Sequence, residues 1–181
     1  MEIHGDIALP TFPWQHNRHA VVFANVEVSH MKSIFSLFVF LVLSSTVLAV
    51  NMPYDEKADG ASDVRSALLR ARGSDKDVLL VFGANWCPDC RELDKALHGK
   101  SSQQIDAKFI VVKIDVGQFD KNIALEKSYG NPIKKGIPAA VILTADDKII
   151  YSTKGGELAD ARKMGEQGIY DFFNRVIQHR Q

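Results

Sequence analysis

Val64, Ala67, Leu68 and Ala71 stand at i, i+3, i+4 and i+7, the spacing of one helix face, and Gly73 suits the end of that helix. After a charged turn the rhythm changes. The stretch DVLLVF at 77–82 is continuously apolar beyond its aspartate, as in a strand buried on both faces. Cys90, Leu93 and Leu97 return to helical spacing, with Arg91, Glu92, Asp94 and Lys95 on the other side. KFIVVKID at 108–115 is rich in β-branched residues and predicts a second strand. Asp120 can cap a short helix running toward Gly130. AAVIL (139–143) and KIIYS (148–152) enclose TADDK, which predicts a hairpin. Ile169, Phe172, Phe173, Val176 and Ile177 form an apolar stripe on a last helix. A βαβ unit followed by a hairpin and a closing helix predicts an α/β fold. Its central mixed sheet has about four strands, flanked by helices on both faces.

The first 49 residues follow another pattern. MKSIFSLFVFLVLSSTVLA (31–49) has one lysine, an apolar run from Ile34 to Leu43 broken only by Ser36, then small residues. That is the layout of a cleavable signal peptide. The strongly apolar part is about half of the ~20 residues a spanning helix needs. An uncleaved membrane anchor is the alternative. Residues 1–30 hold four of the six histidines (His4, His16, His19, His30) without a clear period. They are expected to be a non-native upstream extension or disordered, with translation starting at Met31. Residues 50–57 look like a loose leader and 58–181 like the folded domain. The expected location is the bacterial periplasm, with a membrane-anchored or secreted protein as the other option.

Composition narrows the picture only slightly. The chain has 181 residues, 46% of them hydrophobic, with 22 basic against 22 acidic side chains. This is ordinary for a soluble domain and carries no basic footprint for nucleic acid or an anionic membrane.

The chemistry concentrates in GANWCPDCREL (83–93), which contains both cysteines, Cys87 and Cys90. They could be a zinc half-site, a structural staple or a redox pair. A structural zinc site wants four ligands, and no second Cys-x-x-Cys exists, so no metal is implied. A staple closing so short a loop gains little chain entropy. A redox pair fits best, because Cys87 falls where a strand opens into a helix. Free N–H groups and the helix dipole there stabilise a thiolate. Cys90 sits almost one turn on, inward with Leu93 and Leu97. In that reading the Cys87 thiolate attacks a substrate disulfide, and Cys90 then attacks the Cys87 sulfur and releases the reduced substrate.

VLLVFGANWCPDC, together with GIPA at 136–139, resembles the thioredoxin-like proteins over nearly all of residues 58–181. Trp-Cys-Pro-Asp-Cys is similar to the active site of cytosolic thioredoxin-related proteins, although the signal segment argues against that compartment. The resemblance implies a thioredoxin fold and a thiol–disulfide oxidoreductase acting on exported protein disulfides or dithiols. No metal or organic cofactor is implied, and electrons would come from a partner such as a membrane-bound reductase. It implies that Ile137–Pro138 is cis and shapes the substrate groove, where sequence alone suggests an ordinary proline at a strand start. Trp86 would cover Cys87 or simply fill the core. Pro88 and Asp89 would tune the thiol. A carboxylate beside the Cys87 thiolate opposes the dipole and favours a reductant, unless Asp89 is merely a good first-turn residue. The rival function is a non-catalytic binding module on the same scaffold.

Two positions depart from the family pattern. The buried acid expected six residues before the first cysteine is Val81, leaving water, Glu92 or Lys113 to handle the Cys90 proton. The helix-kinking proline expected five residues after the second cysteine is Lys95, so the helix should run straighter. The approach SYGNPIKKGIP is also longer and more basic than usual, and Lys134 and Lys135 read as a solvated pair or a partner contact.

Overall fold

The computed structural model describes residues 52–179. The signal segment, the upstream extension and the start of the leader lie outside the described residues.

The first helix, α1 (Gly60–Arg72), follows Asp59, whose side chain accepts hydrogen bonds from Ala61 N (3.0 Å) and Ser62 N (3.1 Å). That pays two of the donors a helix N-terminus leaves open. Next come β1 (Asp77–Gly83), α2 (Pro88–His98), α3 (Ser102–Lys108) and β2 (Phe109–Asp115). The chain continues through α4 (Ile123–Ser128), a 3₁₀ turn (Pro132–Lys135), the hairpin β3 (Ala139–Leu143) and β4 (Ile149–Ser152), and α5 (Ala161–Gln178). The sheet order is β2-β1-β3-β4, with β1 parallel to β2 and antiparallel to β3.

β1 explains the layering. Val78, Leu80 and Phe82 face one side and join Val64, Ala67, Leu68 and Ala71 of α1 in one apolar cluster. Leu79 and Val81 face the other and meet Leu93 and Leu97 of α2 and Ile169, Phe172 and Phe173 of α5. Strand alternation therefore sends one unbroken apolar run into two cores. The result is the mixed, two-faced α/β sheet expected from the sequence.

Four local features differ from the expectation. α3 was not foreseen, because Ile105 is its single buried residue and no apolar period marks it. Asp120 does not cap α4: its carboxylate accepts from Gln118 N (2.8 Å), and α4 starts after Asn122, which is left-handed at φ 52°. The end of the leader is not loose, for Tyr54 is buried and its backbone is hydrogen-bonded to Asn85. α5 also starts earlier than the stripe and breaks at Gly165 (φ 62°) before its apolar part.

Candidate active site

β1 ends at Gly83, and the turn 84–86 delivers Cys87 to the N-cap of α2. Cys87 Sγ accepts a hydrogen bond from Cys90 N at 3.1 Å, as a serine or aspartate cap would. Pro88 occupies the first turn, where its missing N–H leaves no bond unmade. Cys87 and Cys90 are joined in a disulfide with Cα atoms 5.2 Å apart. Cys87 is 4% exposed and Cys90 is fully buried, which fits the inward second thiol expected from helical spacing. α2 runs unbroken from Pro88 to His98 with Lys95 in its third turn.

The Ile137–Pro138 peptide is cis, and Cys87 Sγ lies 3.7 Å from Ile137 O. Trp86 is not core filling: it is 45% exposed. Its Nε1 donates to Gly117 O (2.7 Å), and its ring meets Phe119 edge-on at 5.9 Å. Phe119 is itself exposed and held at φ 65°, a conformation bulky residues rarely adopt. Sequence alone gave no signal for this aromatic pair. Lys134 and Lys135 are both exposed.

Asp89 does not stand free beside Cys87. Its carboxylate accepts from Arg162 N (2.9 Å) and from the Arg162 guanidinium (3.2 Å), so it caps α5 from another helix. Partial burial works to raise the Asp89 pKa. The Arg162 side-chain and backbone hydrogen bonds, with the charges of Arg162 and Lys163, outweigh it and hold the pKa below the ordinary value. A depressed carboxylate pKa adds stability above the unfolded-state value of ~3.9. That contribution is lost as pH falls through the folded-state pKa. In Arg162→Gln, carboxyl NMR should show Asp89 titrating higher, and the extra acid-side loss of stability should shrink. An unmoved Asp89 titration would refute the pairing.

Of the groups suggested for the Cys90 proton, Glu92 turns toward Lys95 (4.0 Å). Lys113 sits beside Val81 in the β1–β2 register and is held by the buried Asp94.

A family model described as thioredoxin-like matches residues 59–145. The crystal structure of a disulphide isomerase from Xylella fastidiosa Temecula1 is 55% identical, with a TM-score of 0.69 over 71% of this chain and 99% of that one. The thiol:disulfide interchange protein DsbD of Vibrio cholerae is 36% identical over 56 residues, 30% of this chain and 9% of that protein. The oxidised DsbD C-terminal domain of Neisseria meningitidis is 28% identical over 52% of this chain and 82% of that one, with a TM-score of 0.43. With a Cys-x-x-Cys disulfide at the head of α2 and 55% identity to a relative it spans almost end to end, the chain belongs to the thioredoxin-like family of thiol–disulfide oxidoreductases.

Proposed function

We propose that the protein reduces or rearranges disulfides in exported proteins, with Cys87 as nucleophile and Cys90 as resolving thiol. The observation that carries this reading is the position of Cys87. It caps α2, bonded to Cys90 and 3.7 Å from Ile137 O in the cis Ile137–Pro138 segment. A sulfur at a helix N-terminus ionises readily, and a thiolate is the attacking species. Ile137 and Pro138 form one wall of the substrate groove, and Trp86 forms its exposed lip. Pro88 and Asp89 tune Cys87 from the first turn of α2.

The reducing direction rests on Asp89, an acid in that first turn that competes for the positive helix end. Arg162 shares its charge, so its effect on Cys87 is smaller than that of an unpaired carboxylate. Electrons would then come from a thiol partner, and a membrane-bound reductase is the proposed source. Export is supported by the signal-like segment at 31–49, with residues 58–181 as the mature domain after a short leader. The upstream residues 1–30 are proposed as non-native.

The Cys87–Cys90 reduction potential, measured against glutathione, tests the direction. A value near about −270 mV is expected for a reductant, and one near about −120 mV would make the protein an oxidant.

A further inference from the structure

We propose that the Tyr54 hydroxyl is the hydrogen-bond donor that stabilises the Cys90 thiolate during the second half of the exchange. This rests on the reading of Cys90 as the resolving thiol and adds the group that handles its charge.

The family's acid position is Val81, and Glu92 and Lys113 are directed to Lys95 and Asp94. Tyr54 is what the structure places at Cys90 instead. A Cβ built on Gly83 would collide with Tyr54 Oη and lie 3.0 Å from Cys90 Sγ. Hydroxyl and sulfur therefore converge on the same spot above the end of β1, which only glycine leaves open. The placement is built in. Tyr54 N donates to Asn85 Oδ1 (3.0 Å), and Asn85 Nδ2 donates back to Tyr54 O (2.8 Å). Arg91 of α2 in turn donates to Asn85 O (2.7 Å). Asn85 is two residues before Cys87, so the cysteine turn itself grips the tyrosine. The side chain is 3% exposed, and a buried phenol seeks a partner for its O–H.

The phenol keeps its proton. Burial, then the carboxylates of Asp94 on α2 and Asp115 on β2, push its pKa upward. The neighbouring charges are themselves engaged. Lys113 pairs with Asp94, His98 Nδ1 lies 3.4 Å from Asp94, and Lys121 Nζ lies 3.0 Å from Asp115. Tyr54 therefore acts as a donor and never as a base. In the step itself, Cys90 loses its proton to water. Its electron pair forms the Cys87–Cys90 bond while the bond from Cys87 to the substrate sulfur breaks. The departing thiolate takes a proton from solvent, and the substrate disulfide has been reduced by the two electrons of the cysteine pair.

The test is rapid mixing of the reduced protein with 5,5′-dithiobis(2-nitrobenzoate). The first thionitrobenzoate reports attack by Cys87, and the second reports resolution by Cys90. In Tyr54→Phe, which keeps the buried ring, the second phase should slow about threefold at pH 7 with the first unchanged, since the smaller thiolate fraction is partly offset by a more nucleophilic sulfur. In a Cys87→Ser background, Tyr54→Phe should also move the pH profile of Cys90 alkylation upward by about one unit. Equal second phases with superimposable profiles would overturn the assignment, as would equal slowing of both phases. Absence of a first phase in the unsubstituted protein is a separate failure, that of Cys87 as nucleophile.

Discussion

Cys90→Ser is expected to convert the protein from a catalyst into a trap. Turnover of a protein disulfide should fall by about a thousandfold or more, the scale seen when one member of a concerted catalytic set is removed. A covalent complex through Cys87 should accumulate in its place. The two sulfurs are unequal: Cys87 caps α2 and retains some exposure, whereas Cys90 has none. A substrate can reach the first sulfur only. Without the second, the mixed disulfide must wait for an outside thiol. Cys87→Ser should lose turnover equally and trap nothing. Non-reducing electrophoresis and mass spectrometry of the two variants separate the outcomes. A binding module without exchange would keep its partner affinity in both variants and form no linked species. Wild-type turnover in Cys90→Ser would rule out the two-thiol mechanism.

The same asymmetry shows how far the sequence could be read. Cys90 lies in register with Leu93 and Leu97, so its burial was written into the helical spacing. The two-sided burial of β1 was equally plain, since a run with no polar member after Asp77 has no solvent face to offer. What stayed hidden depends on contacts across long stretches of chain. Asp89 and Arg162 are 73 positions apart, and nothing local distinguishes an acid that tunes a thiol from one that caps a distant helix. Tyr54 lies in a polar stretch, MPYDEK, and is buried only because Asn85 and the bare Cα of Gly83 receive it. Phe119 sits in a loop with no period at all, so its pairing with Trp86 left no pattern to detect. The glycine ending an apolar strand just before the cysteine turn was the one available hint that something approaches closely there.

The second large effect concerns the support beneath the site. Phe173→Ala is expected to cost about 3–5 kcal/mol, against a total of roughly 5–15 kcal/mol for a domain of ordinary size. Phe173 is fully buried and meets Phe172 edge-on with ring centroids 5.1 Å apart. It belongs to the cluster that holds α5 against Leu93, Ala96 and Leu97 of α2. Those residues lie on the helix whose first turn bears the cysteines, so α5 fixes the direction of α2. At the other end Arg162 holds Asp89 in that first turn. The packing is thus required to keep the thiol presented, while the sulfur chemistry depends on the helix end itself. Denaturant unfolding should show the loss in both the oxidised and the reduced protein. The Cys87 alkylation rate of the remaining folded fraction should change less than about twofold, because the cap and the dipole are local to the first turn. A loss below about 1 kcal/mol would mean that neighbouring side chains collapse into the space and that α5 does not anchor α2. A steep fall in Cys87 reactivity at full stability would instead tie the thiolate to α5 more directly than the Asp89–Arg162 contact does.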